Sequence, residues 1–139
     1  MEKYAEIYMI ENNGEIEKII LPIHGYGLWS TLYGFIALKG DMDTIVGLGF
    51  YSHAETPGLG GEVDNPSWKA IWEGKEVYDD SGDVAIKVVK GPAEPGNPYQ
   101  VDGLSGATLT SRGVSSLVRF WVSDRAFGSL LTKLKEQGA

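Results

Sequence analysis

Cysteine is absent from all 139 residues. That removes disulfides, thiolate metal sites and thiol nucleophiles together, while leaving the cellular compartment open. Only two histidines occur, His24 and His53, and they lack any H-E-x-x-H-like spacing, so no metal centre is expected. Basic residues are the minority charge: 12 Lys and Arg stand against 19 Asp and Glu, for a net charge of −7. They are scattered, which argues against nucleic acid as a partner and against docking on an anionic membrane surface. Long apolar runs are missing too. A membrane-spanning helix needs about 18 consecutive apolar residues, whereas the most apolar stretch, 29–38, is broken by Ser30, Thr31 and Gly34. The opening Met1-Glu2-Lys3-Tyr4 has no signal-peptide character.

What is present fits one soluble domain over 1–139, large enough to bury a core. Hydrophobic residues make up 42%, and four Trp and seven Tyr exclude a disordered chain. Residues 4–10 read as a strand, Asn12-Asn13-Gly14 as a hairpin turn and 16–23 as its partner. Two further strands are expected at 32–38 and 44–51, with Gly47 and Gly49 marking a bulge or a close backbone neighbour. A loop follows over 52–65, then a short helix at 67–72 with Pro66 at its first turn. Residues 74–77 return to extended chain, 79–82 form a turn and 84–89 form a clean β run. The Pro- and Gly-rich 91–98 is a loop, and 99–101 is a short strand. Two helices, 110–123 and 127–136, close the chain. With strands first and helices last, the expected fold is α+β with a largely antiparallel sheet. No internal repeat or low-complexity tract interrupts it.

The stretch 101–113, V-D-G-L-S-G-A-T-L-T-S-R-G, carries the strongest chemical signal. It is made of small side chains and hydroxyls and runs into a helix whose apolar residues Val114, Leu117, Val118, Trp121 and Val122 form one stripe. Gly103, Gly106 and Gly113 therefore bracket a helix N-terminus. Such a terminus offers unpaired N–H groups and a positive dipole end to an anion, with Ser105, Thr108, Thr110 and Ser111 as added donors. The plainer alternative stays open: Thr110 or Ser111 as N-cap and Gly106 in an ordinary turn. Neither a Walker loop nor a G-x-G-x-x-G fingerprint is present.

A second constellation is H-A-E-T-P-G-L-G-G at 53–61, a loop whose backbone is able to approach a flat ligand, with Leu59 as its apolar side chain and Glu55 as its acid. A tight surface turn is the alternative, and His53 alone reads as a loop histidine. Asp79-Asp80 sits on a turn and looks like a solvated face. Trp68 and Trp72 read as core or cover, and Tyr26 and Trp29 flank a corner able to line a pocket. No Ser/His/Asp assembly is apparent, and no catalytic residue is assigned.

Taken together, these segments resemble the FMN-binding domain of the C subunit of the sodium-pumping NADH:quinone oxidoreductase, and its relative, the G subunit of Rnf-type electron-transport complexes. S-G-A-T at Ser105–Thr108, preceded by Asp102-Gly103, is similar to that family's flavinylation motif. E-T-P-G-L-G over 55–60 is similar to its ring-packing loop. G-Y-G-L-W-S, I-K-V-V-K-G, L-T-S-R-G-V and F-G-S-L-L favour the C-subunit version.

The resemblance implies FMN bound covalently through its phosphate to Thr108. Cofactor contacts would come from Ser105, Gly106, Ala107, Leu109, Thr110 and Ser111, and from Glu55, Thr56, Gly58, Leu59 and Gly60. Asp102 and Gly103 would serve motif recognition. It implies a separate flavin transferase using FAD and Mg²⁺, and partner subunits that relay electrons from NADH toward ubiquinone, coupled to Na⁺ export. It also implies an N-terminal membrane helix in the full-length protein, with this domain on the periplasmic side of a bacterial inner membrane. The chain then reads as a truncated soluble piece with Met1 an added start. Within the family, the alternative is the Rnf-type G subunit or a free-standing flavoprotein reductase built on the same domain; a non-covalent flavin or ligand-binding module is the alternative of another class.

Overall fold

The structure is a computed structural model that describes residues 7–26, 31–52, 63, 65–104, 108–123 and 125–138. The loop 53–61 and residues 105–107 lie outside the described residues.

Strand β1 (Tyr8–Asn12) turns through Asn13 and Gly14, both at positive φ (55° and 82°), into β2 (Glu15–Tyr26). An Asn-Gly pair suits such a turn because both central residues need left-handed backbone. β3 (Thr31–Lys39) and β4 (Ile45–Ser52) complete a four-stranded antiparallel sheet in the order β1-β2-β3-β4. Alternation along the strands sets its two faces. Ile19, Leu21 and Ile23 of β2, Leu32, Ile36 and Leu38 of β3, and Ile45, Leu48 and Phe50 of β4 are buried, whereas Tyr33, Phe35 and Tyr51 remain exposed. The register of β3 on β4 shifts between Ala37 and Leu38, opposite Ile45–Gly47, as the strand glycines suggest.

Helix α1 (Pro66–Ile71) starts with Asn65, whose side chain accepts from the Ser67 N–H, and with Pro66 in the first turn. The expected β run over 84–89 is a correction. Only β5 (Lys87–Val88) pairs regularly, in parallel, with β6 (Gln100–Val101). The Ala85 and Ile86 amides both turn to the Val77 carbonyl, and Val84 makes an isolated bridge with Tyr78. β propensity there meets no long partner strand, so tertiary context wins.

Helix α2 (Thr108–Val122) and α3 (Gly128–Gly138) close the chain. The stripe Val114, Leu117, Val118, Trp121 and Val122 is buried as its spacing requires. At Gly25 a Cβ would lie 2.5 Å from Leu117 Cβ, so the glycine lets α2 seat against β2. The Trp121 indole N–H then donates to the His24 carbonyl at 2.8 Å. Among the described residues no helix is long and apolar enough to cross a membrane.

Candidate functional site

The chain entering the 101–113 motif is held by the segment before it. Val101 is fully buried, and its carbonyl accepts the Val89 N–H at 2.9 Å. Two residues on, the Gly103 N–H donates to the Gly91 carbonyl at 2.9 Å. A Cβ at Gly103 would stand 2.4 Å from the Val89 oxygen, closer than Cβ atoms approach, and a tight 3.2 Å from the Gly91 nitrogen. Only glycine fits this seam. Asp102 is anchored twice: its carboxylate accepts the Ala93 N–H at 2.7 Å, and its carbonyl accepts the Trp68 indole N–H at 2.8 Å.

Across the three residues outside the description, helix α2 begins at Thr108 rather than at Thr110. Thr110 and Ser111 are therefore first-turn residues, not caps. Ser111 is 5% exposed, and its Oγ accepts the Leu104 N–H at 2.9 Å, which ties the first turn of α2 to the chain at Leu104. It is the buried polar residue of the described core. Farther along α2, the Ser115 hydroxyl accepts the Val88 N–H at 3.1 Å and the Arg119 guanidinium donates to the Ile86 carbonyl at 2.9 Å. The helix start is thus tied to the 86–91 segment from several levels.

A small cleft of about 120 Å³ lies at this junction, lined by Lys90, Gly91, Gly103, Leu104, Ser111 and Arg112 among others. Arg112 also borders a larger groove of about 500 Å³, walled by Gly25, Gly113, Leu117, Phe120 and Trp121. The first turns of α2 thus border a cleft with cationic side chains and a separate apolar trough, Arg112 lining both. The first turn contains no acidic residue, and the charged side chains lining the cleft are Lys90 and Arg112. Side-chain chemistry there adds to the partial positive charge of the helix start, which favours an anion.

The sequence-derived candidates divide accordingly. Asp102, Gly103 and Ser111 come together at the motif's entrance, with backbone bonds as their observed partners. Thr108, Leu109 and Thr110 occupy the first turn of α2. Ser105, Gly106 and Ala107 lie outside the described residues, as do Glu55, Thr56, Gly58, Leu59 and Gly60. His24 ends up exposed, its ring between Tyr33 (centroids 5.8 Å apart) and Trp121 (5.0 Å). Asp79 spends its carboxylate on the Ser81 and Asp83 amides, a turn-forming role. Sequence reasoning missed three residues: Trp68, whose indole reaches the motif from α1, and Lys90 and Arg112, which supply its charge. The signal for Arg112 was present, since it falls one helical turn after Thr108.

Comparison with known proteins gives the class. Residues 27–123 match the model of the FMN-binding domain family, and the chain belongs to that family. Within it, the chain is 54% identical over 138 residues to the C subunit of the Na(+)-translocating NADH-quinone reductase of Pseudomonas aeruginosa, covering 97% of this chain and 53% of that protein. It is 51% identical over 133 residues to the protein of the same name from Yersinia pestis, covering 95% and 50%. Among solved structures it superposes on Shewanella oneidensis NqrC with a TM-score of 0.88 at 38% identity, over 95% of this chain and 61% of that one. The corresponding reductase subunit from Parabacteroides distasonis gives a TM-score of 0.72 at 34% identity, over 97% and 63%. The chain spans about half the length of the curated relatives it matches. The α+β architecture, with its antiparallel sheet and C-terminal helices, is the one these structures share.

Proposed function

We propose that this chain is the flavin-carrying domain of a Na⁺-translocating NADH:quinone reductase, with FMN esterified through its phosphate to Thr108. The observation that carries the reading is the cationic helix start: Thr108 opens α2, Lys90 and Arg112 flank that end, and its first turn holds no acid. The residues present fit the group. A phosphate diester suits the N-terminal amides and the two cations, each charge interaction being worth about 0.3–1 kcal/mol at an exposed site. Leu117, Phe120 and Trp121 offer apolar surface beside them, and the loop 55–60 is the further candidate for ring contact. Bound FMN supplies one-electron chemistry that this chain's own side chains lack.

Attachment needs a donor and a catalyst from outside the chain. With FAD as donor and a Mg²⁺-dependent flavin transferase, the Thr108 hydroxyl oxygen forms the new bond to the FMN phosphorus. The pyrophosphate P–O bond breaks, AMP leaves and the hydroxyl proton passes to a base. Thr108 is an anchor in this scheme, not a catalytic residue. A permanent cofactor suits electron relay, so its donor and acceptor are other members of the complex, on the path from NADH to ubiquinone that drives Na⁺ export. The domain then faces the periplasm of a bacterial inner membrane. The test is to coexpress the chain with a flavin transferase and weigh it. The expected result is a gain of about 440 Da with flavin colour that survives denaturation, and neither in Thr108→Ala. An unmodified parent chain under those conditions would overturn covalent attachment.

A further inference from the structure

Two side chains outside the S-G-A-T tetrapeptide bond the described chain on either side of residues 105–107. At the entrance, the Trp68 indole N–H donates to the Asp102 carbonyl across 34 positions of sequence. That bond fixes the peptide whose next N–H, on Gly103, docks on the Gly91 carbonyl. At the exit, Ser111 Oγ takes the Leu104 N–H, although the two residues are seven positions apart. Trp68 and Ser111 are both buried, 6% and 5% exposed, so neither bond is readily replaced by water. The span from Leu104 to Ser111 is thereby closed by a hydrogen bond between its own ends, with Thr108 inside it.

We infer that Trp68 and Ser111 are positioning residues for flavin attachment: they fix the chain before residues 105–107 and tie it to the first turn of α2, so that the Thr108 hydroxyl meets the phosphorus of FAD in line. The inference rests on Thr108 being the attachment residue. Phosphoryl transfer between two bound partners depends steeply on orientation. A hydroxyl at a helix start tied to the chain before it loses less freedom on reaching that geometry than one at an untied start. Neither residue touches the reacting atoms.

The test follows FMN incorporation by intact mass, using the chain, its transferase, FAD and Mg²⁺, over a range of chain concentrations. Trp68→Phe keeps the ring and removes the donor; Ser111→Ala removes the acceptor; Ser111→Thr keeps a hydroxyl. Each single-bond loss is expected to lower kcat for attachment about tenfold, with KM within about twofold, in chains still folded at the assay temperature. Ser111→Thr should recover most of the rate. In the unsubstituted chain the Leu104 amide should exchange slowly with solvent, a measurement that does not depend on any variant folding. Parental rates in the folded variants, a loss carried by KM alone, or a rapidly exchanging Leu104 amide would each overturn the clamp. If the parent is unmodified, or Thr108→Ala is modified like the parent, the Thr108 reading falls instead.

Discussion

Between Glu15 and Ser52 the described chain runs mostly in strands, and its backbone hydrogen bonds go to neighbouring strands in a repeating register. Between Trp72 and Leu104 only Lys87, Val88, Gln100 and Val101 are in strands. The rest of that segment is held by single bonds: Lys75 to the Asn97 carbonyl, the Tyr78 amide to Asp43, the Glu94 amide to Gln100 and the Ala93 amide to Asp102. The sheet gains its order from a repeating ladder and a shared buried face. The second segment joins the same core through Val77, Ile86 and Val101 but lacks an extended ladder, so its backbone is ordered bond by bond, and the motif that bears Thr108 hangs from it. A repeating ladder tolerates the loss of one bond, whereas a chain of unique contacts passes each loss on to what it supports.

Substitutions at matched positions test this contrast. The largest stability loss belongs in the sheet. At Gly34 a Cβ would lie 2.1 Å from the Gly49 carbonyl oxygen, so Gly34→Ala should cost up to about 3 kcal/mol. For a domain of this size that lowers Tm by about 10 °C, as read by thermal unfolding. Gly103→Ala brings a Cβ to 2.4 Å from the Val89 backbone oxygen, a looser clash than the one at Gly34. It should cost about 2 kcal/mol, yet cut flavin attachment more severely than Gly34→Ala does when both are assayed folded. Equal losses of attachment at equal stability would erase the distinction. Arg119→Met removes the donor to the Ile86 carbonyl and should cost about 1 kcal/mol in a denaturant titration.

The smallest effect concerns the β3–β4 turn. Burial raises the Asp41 pKa, but the Thr44 hydroxyl, the Thr44 and Asp43 amides and the Lys39 charge together hold it below the ordinary value. A carboxylate with a depressed folded pKa stabilises fully above its unfolded pKa, near about 4, and loses that contribution as pH falls through the lower folded value. The stability gap between the parent and Asp41→Asn should therefore be largest near neutrality and shrink below about pH 4. A gap independent of pH would assign the turn's stability to something other than the ionised carboxylate.

The same contrast explains what was legible in the sequence. Alternation along 32–38 and the helical stripe from Val114 to Val122 repeat at fixed periods, so a reader of the sequence finds them. The Asn13-Gly14 turn is legible because its chemistry is local. The run 84–89 misleads, since its composition says strand while its partner is only two residues long. The capture of the Leu104 amide by Ser111 depends on where the chain from Val101 to Leu104 meets α2 in space. The reach of Trp68 to Asp102 depends on where α1 comes to rest in the fold. No local pattern encodes either contact. The motif itself was plain; the frame that holds it was not.

The most direct test of the central claim is where the flavin sits. Trypsin cleaves after Lys90 and Arg112, releasing one peptide, 91–112, that contains Ser105, Thr108, Thr110 and Ser111 together. Fragmentation of that peptide from chain matured with its flavin transferase should assign the added mass of about 440 Da to Thr108. The same mass on Ser105, Thr110 or Ser111, or its absence from this peptide, would contradict the account.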